Sequence, residues 1–271
     1  MITLEATTEI AAGVTMPHFG LGVFRAGDAT YDAVRWALDA GYRHVDTARI
    51  YRNEADVGRA LRESDVDRAE VFVTTKLWND DQGYEKTKRA FDKSLDRLGL
   101  EYVDLYLMHW PVAEKRLASW RAMEEILDGG RTKAIGVSNF TERHLDELLA
   151  GARIKPAVNQ FELHPLLPQP ALVEHCRKLG VTVEAYSPLA KAQHFDEPAI
   201  VAVAEALGKS PAQVMIRWGL EKGFVVIPKS QSQARIHENM AVFDFELGPH
   251  LAALDAIEAR HRCAWDPNAV P

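Results

Sequence analysis

The 271 residues predict an α/β fold closed into one (β/α)8 barrel, with all of 1–271 in a single domain. Short apolar runs alternate with longer amphipathic stretches along the whole chain, and the apolar runs number eight. An open doubly wound sheet is the rival arrangement, but no glycine-rich turn follows an early strand. Together these features favour the closed TIM barrel.

The elements follow in order. The stretch before Met16 reads as a short hairpin that turns at Ala12-Gly13 and closes the bottom of the barrel. Strands are expected at residues 19–22, 42–46, 71–76, 103–109, 133–138, 157–160, 181–187 and 224–228. Several are nearly continuous in Val, Ile, Leu and Tyr, as in a parallel sheet covered on both faces. Residues 28–40 place Val34, Ala37 and Leu38 on one helical face and stop before Gly41, a residue suited to the position after a helix. Further helices are expected at 53–63, 84–98, 118–128, 141–150 and 170–178, the last opened by Pro170. Two more, 198–207 and 211–222, follow the seventh strand, and a final one covers 249–260. A short C-terminal tail after Arg262 runs through Trp265-Asp266-Pro267.

Composition narrows the function. With 47% hydrophobic and 26% charged residues the chain is of ordinary globular type. A formal net charge of −7 provides no basic footprint for nucleic acid or an anionic membrane. Cys176 and Cys263 match no metal or redox spacing, and the histidines show no metalloprotease-like pattern, so neither a metal nor a disulfide framework is expected. The N-terminus has no basic-then-apolar leader, and no apolar run is long enough to span a bilayer. A cytoplasmic location is therefore expected, and the lack of heptads or a long apolar edge points to a monomer.

Barrels of this kind carry their chemistry at the C-terminal ends of the strands. The polar residues there are Asp46, Lys76, His109, Ser138, Asn139, Gln160, Ser187, Lys229 and Ser230, with Tyr51 just beyond the second strand. Singly, Asp46 reads as a cap or ion-pair partner, Lys76 as a rim residue and His109 as a core histidine. As a set they suit carbonyl reduction, which needs an acid beside the oxygen and a group that stabilises the developing alkoxide. A tyrosine is a poor acid at its ordinary pKa of ~10. Lys76 beside Tyr51 is expected to pull that value down, with Asp46 holding the lysine and His109 donating a hydrogen bond to the substrate oxygen. Two other classes stay open. A strand-end lysine also suits a Schiff-base lyase, which borohydride trapping on Lys76 would reveal. A cofactor-binding protein without catalysis is the other, though it has no need of Tyr51.

Gly20-Leu21-Gly22 is followed by Arg25 where a dinucleotide fingerprint needs its third glycine. A dinucleotide must then be held by other means. Lys229 and Arg235, with the hydroxyl of Ser230 between them, read either as a phosphate grip or as an exposed basic turn.

Residues 46–54, Asp46-Thr47-Ala48-Arg49-Ile50-Tyr51-Arg52-Asn53-Glu54, followed by Val57-Gly58, resemble the first signature of the aldo-keto reductases. So do Thr75-Lys76-Leu77-Trp78, Val103 to Pro111, Ile135 to Phe140, Asn159 to Pro165, Tyr186-Ser187-Pro188-Leu189 and Ile227-Pro228-Lys229-Ser230 with Arg235, Glu238 and Asn239. These blocks stand in the family's order over nearly the whole chain. With Phe19 to Phe24 and the short tail, the chain is most similar to the bacterial 2,5-diketo-D-gluconate reductases.

The resemblance implies NADPH-dependent reduction of small aldehydes and ketones, with Asp46, Tyr51, Lys76 and His109 as the catalytic set and Tyr51 as proton donor. It implies that Ser138, Asn139 and Gln160 hold the carboxamide and that Tyr186 stacks on the nicotinamide. Ser187 and Leu189 would contact the pyrophosphate, Lys229, Ser230 and Arg235 the 2′-phosphate, and Glu238 and Asn239 the adenine. Gln231, Ser232 and Gln233 stand where related reductases sometimes carry basic residues, which leaves NADH as a weaker alternative. Phe24, Trp78, His109 and Trp110 are the expected substrate contacts. The short connection at 112–118 and the short tail predict an open, polar mouth suited to keto-sugar acids such as 2,5-diketo-D-gluconate and to methylglyoxal.

Overall fold

A computed structural model describes residues 2–258 and 260–271. Strands β1 (Thr7–Ala11) and β2 (Val14–Pro17) pair as an antiparallel hairpin around Ala12-Gly13, where Gly13 adopts a positive φ of 72°. The remaining strands are β3 (Leu21–Gly22), β4 (His44–Asp46), β5 (Phe72–Leu77), β6 (Val103–Met108), β7 (Thr132–Ser138), β8 (Val158–Glu162), β9 (Thr182–Tyr186) and β10 (Val225–Val226). They lie in sequence order and pair in parallel throughout. Gly20 N donates to Val226 O at 3.0 Å and Gly22 N to Pro228 O at 3.2 Å, which joins the two ends of the sheet and closes the barrel. All eight expected strands are present, shortened mainly at the two that meet at this seam.

Helices α1 (Thr30–Asp39), α2 (Glu54–Arg62), α3 (Tyr84–Leu98), α4 (Arg116–Asp128), α5 (Glu142–Leu149) and α6 (Pro170–Leu179) follow successive strands. After β9 come α7 (Pro198–Leu207) and α8 (Pro211–Glu221), and after β10 come α9 (Gln233–Met240) and α10 (Leu251–Asp255). Two differences from the sequence expectation appear. Helix α9, Gln233–Met240, forms where no helix is expected. The final helix is a single turn of 3-10 helix, Gly248–His250, running into a five-residue α10, in place of 249–260; position 259 of that span lies outside the described residues.

Alternation along each strand sends one set of side chains outward and the other into the barrel. Outward-facing Val45, Val73, Tyr106, Val137 and Phe161 pack with the helices in one continuous core. The lower half of the interior is apolar: Phe72, Leu105, Leu107, Val158 and Val225 pack together, and the hairpin seals them with Ile10 and Met16. The upper half is polar and holds His44, Asp46, Thr74, Lys76, Gln160 and Glu184, each no more than 2% exposed. Gly20 faces this interior. A Cβ there would meet His44 Nδ1 at 2.5 Å, so the glycine that resembled half a nucleotide fingerprint makes room for a buried ring. Among the described residues no single helix is long and apolar enough to cross a membrane. Helices α7 and α8 reach that length only as a pair bent by 93°, and their apolar faces, including Ile200, Val203, Val214 and Trp218, are buried in the core.

Candidate active site

A cleft of about 890 Å³ opens at the C-terminal end of the barrel. Asp46, Tyr51, His109, Asn139 and Gln160 form its floor, and Phe24, Trp78 and Trp110 stand over them. Tyr186, Ser187 and Leu189 carry the wall onward to Lys229, Ser230, Arg235, Glu238 and Asn239. Two expected residues, Lys76 and Ser138, lie behind this wall and not on it. Lys76 is 0% exposed and backs Asp46, while Ser138 accepts a hydrogen bond from Asn139 Nδ2 at 3.1 Å.

Tyr51 ends a 3-10 turn, Arg49–Tyr51, and the residues after it fix that turn. Arg52 takes a left-handed φ of 59°, which turns the chain into α2. Asn53 is buried; its Oδ1 accepts from Thr47 at 2.7 Å and its Nδ2 donates to Val23 O at 3.0 Å and Thr30 Oγ1 at 3.1 Å. Glu54 is tied to β5 by Thr75 Oγ1 at 2.6 Å and to Arg97 Nε at 2.6 Å. The polar run after Asp46 is thus a set of braces that presents the tyrosine to the cleft.

Lys76 Nζ donates to both oxygens of Asp46, at 2.6 and 2.7 Å, and to Thr47 O at 2.9 Å. All three of its N–H bonds are therefore satisfied inside the protein. The ammonium lies 5.2 Å from the centre of the Tyr51 ring. Contrary to the sequence expectation, the phenol is not pulled down: burial, with the carboxylates of Asp46 and Glu184 behind it, holds Tyr51 well above 10. The reason is that Asp46 neutralises Lys76 at contact distance, so desolvation dominates. Tyr51 consequently keeps its proton throughout the neutral range.

The His109 ring lies edge-on to Tyr51, with centroids 5.8 Å apart, and 5.3 Å from Trp78. Burial and then the charge of Lys76 push its pKa well below 6.5, so the imidazole is neutral. Its Nδ1 is buried without a partner, which leaves Nε2 as the edge open to the cleft. Asn139, at a left-handed φ of 62°, donates to His109 O at 3.0 Å and accepts from the Tyr186 hydroxyl at 2.8 Å. It locks the histidine strand to the tyrosine ring.

Glu184 and Glu162 are polar groups that the sequence reading passed over. Glu184 sits in the middle of β9 inside an apolar run, so nothing marked it. Glu162, at the end of β8, takes the main-chain N–H of Cys263 at 2.6 Å and of Ala264 at 2.8 Å, and pins the tail across the mouth. The pinned tail places Trp265, 71% exposed, 6.0 Å from Trp110. The mouth expected to be polar is thus rimmed near Tyr51 by Phe24, Trp78, Trp110 and Trp265, because the short tail still reaches the cleft. An aromatic in an otherwise polar tail was the signal for Trp265. Arg25, Lys191, Phe195 and Gln231 also line the cleft, and Gln231 donates to Arg25 O at 3.1 Å and Ala26 O at 2.7 Å.

Two buried groups make stability depend on pH in opposite directions. Burial and the charge of Asp46 push Glu184 from 4.5 up to about 8, so the folded state keeps a proton that the unfolded chain releases, and stability falls as pH rises through that window. Burial and Lys76 push His44 from 6.5 down to about 3, so stability falls as pH drops through that lower window. Glu184→Gln is expected to flatten the alkaline limb of a Tm-against-pH curve and leave the acid limb in place; an unchanged alkaline limb would refute this.

A model of the family described as "Aldo/keto reductase family" matches residues 19–258. The chain is similar to a glyoxal reductase of Bacillus subtilis, 48% identical over 269 residues that cover 98% of each. Among solved structures it is similar to an aldo-keto reductase from a deep-sea metagenome library, with a TM-score of 0.92 and 44% identity over 94% of this chain and 96% of that one. It is also similar to a Bombyx mori aldo-keto reductase in complex with NADP, with a TM-score of 0.90 and 34% identity over 98% and 97% of the two chains. A closed eight-stranded barrel with a tyrosine, a neutral histidine and a buried lysine–aspartate pair at its C-terminal mouth agrees with these matches: the chain is an oxidoreductase and belongs to the aldo/keto reductase family.

Proposed function

We propose that this enzyme reduces small aldehydes and ketones with NADPH and that Tyr51 delivers the proton. The observation that carries the reading is the meeting of Tyr51 and His109 on one cleft floor, backed by Lys76 bound to both oxygens of Asp46. The cleft suits a phosphorylated dinucleotide. Lys229 and Arg235 line it with no carboxylate partner among the described residues, and burial together with Arg235 depresses the pKa of Lys229, as when two cations await an anion.

When bound, NADPH supplies the hydride. Gln160 and Asn139 would hold its carboxamide, with Ser138 bracing Asn139 from behind, and the Tyr186 ring would pack on the nicotinamide. Ser187 and Leu189 would meet the pyrophosphate, Lys229, Ser230 and Arg235 the 2′-phosphate, and Glu238 and Asn239 the adenine. His109 Nε2 orients the substrate oxygen. Tyr51 then gives its phenolic proton to the developing alkoxide, a far stronger base than a phenolate. Being neutral, His109 has no comparable proton to give. Lys76 holds Asp46, and this buried pair fixes the polar floor behind the phenol.

Phe24, Trp78 and Trp110 contact the substrate. Short dicarbonyls such as methylglyoxal are the proposed class, supported by the glyoxal reductase relative; the motif likeness to bacterial 2,5-diketo-D-gluconate reductases supports keto-sugar acids beside them. We place the enzyme in the cytoplasm as a single-domain monomer. A panel of carbonyls assayed with NADPH and NADH tests the reading, and turnover of bulky steroids far above methylglyoxal would overturn it. Arg235→Ala is expected to weaken NADPH binding about 10- to 100-fold, the worth of a charge-assisted contact, and to leave NADH binding nearly unchanged. Equal losses for both cofactors would remove Arg235 from the 2′-phosphate site.

A further inference from the structure

We propose that Glu184 is a positioning residue for the cofactor: it fixes the side-chain amide of Gln160 so that only the carbonyl oxygen faces the cleft, to accept a hydrogen bond from the N–H of a primary carboxamide. The proposal rests on the NADPH reading above. Gln160 Nε2 lies 2.8 Å from Asp46 Oδ2 and 2.9 Å from Glu184 Oε2. A primary amide has two N–H bonds, and these two acceptors consume both. Asp46, ionised against Lys76, demands a donor, so the nitrogen end of Gln160 is the inward one. Oε1 remains for the cleft that Gln160 lines.

Glu184 itself is 0% exposed and does not reach the cleft. Its Oε1 has no hydrogen-bond partner and stands 3.7 Å from His44 Nε2. A second carboxyl buried beside Asp46, joined to it through the Gln160 amide and with one ammonium bound to Asp46, is an expensive arrangement in a barrel interior. Its pKa of about 8 relieves that cost near neutrality, because a protonated carboxyl still accepts through its carbonyl oxygen. What the arrangement achieves is a glutamine that cannot rotate. Without Glu184, Asp46 consumes one N–H and the other is free to turn toward the ligand, where it meets the carboxamide as donor against donor.

The test compares NADP+ with its 3-acetylpyridine analogue, in which a methyl ketone replaces the carboxamide and no N–H remains. Dissociation constants are read from quenching of tryptophan fluorescence, and folding from thermal melts. Wild type is expected to bind NADP+ about five- to tenfold more tightly than the analogue, the worth of one hydrogen bond. Glu184→Met is expected to lose that preference by weakening NADP+ alone, and Glu184→Gln, which keeps an acceptor, to restore it. Glu184→Leu serves equally if the Met variant fails to fold. Equal weakening of both ligands, or a wild type without the preference, overturns the proposal. A wild type that binds neither ligand overturns the NADPH reading and this proposal with it.

Discussion

Tyr51→Phe is expected to lower kcat for carbonyl reduction by about 10²–10⁴-fold, the usual contribution of a positioned general acid. The substitution removes one oxygen and keeps the ring, so the packing of the ring against Phe24, 5.0 Å between centroids, and against His109 survives. Binding of NADPH and the KM for substrate are expected to stay within about threefold, since the loss falls on an interaction made in the transition state. No neighbour can take over the proton. His109 is neutral, and each N–H of Lys76 is committed to Asp46 or Thr47. Steady-state kinetics on methylglyoxal, with NADPH binding measured in parallel, check this. Activity within tenfold of wild type would remove Tyr51 from the proton-donor role.

Lys76→Met is expected to cost about 3–5 kcal/mol of stability, because it strands the charge of Asp46 in the barrel interior. The pair is fully buried, and Asp46 keeps only the Gln160 amide once the ammonium is gone. Removing the partner as well restores much of the loss, so the double variant Lys76→Met with Asp46→Leu is expected to be more stable than the sum of the single effects. Urea unfolding of the four proteins measures the coupling. A Lys76→Met variant within about 1 kcal/mol of wild type would show that the pair is not held as tightly as its contacts of 2.6 and 2.7 Å imply. Turnover should fall in both variants, since each dismantles the buried pair that backs the cleft floor beneath Tyr51.

Much of the architecture is legible because the physics behind it is local. The strands stand out as Val- and Ile-rich runs, and α3 and α7 are bounded by residues that start or stop helices wherever they occur. Helix α9 is invisible for the same reason: Gln231-Ser232-Gln233 has no apolar rhythm, and only Ile236 and Asn239 are buried. Asp46, Lys76 and His109 can be found because strand ends are where a barrel displays its chemistry. Their electrostatics cannot. Whether Lys76 acts on Tyr51 or is neutralised by Asp46 depends on contacts that only the closed barrel creates. Glu184 is the clearest loss, since β9 reads as apolar and its meeting with Gln160 is made by the pairing of β8 with β9. Trp265 depends on a tail whose path is set by Glu162, which stands 101 positions before Cys263 in the chain.

The grip of Glu162 on that tail has a further consequence. Its carboxylate holds the main-chain amides of Cys263 and Ala264. Every amino acid except proline supplies such an amide, so the mounting is indifferent to what it carries. Residues 264 and 265 are in effect an exchangeable fitting: selection or an engineer can alter the wall of the cleft there while the barrel and the path of the tail stay as they are.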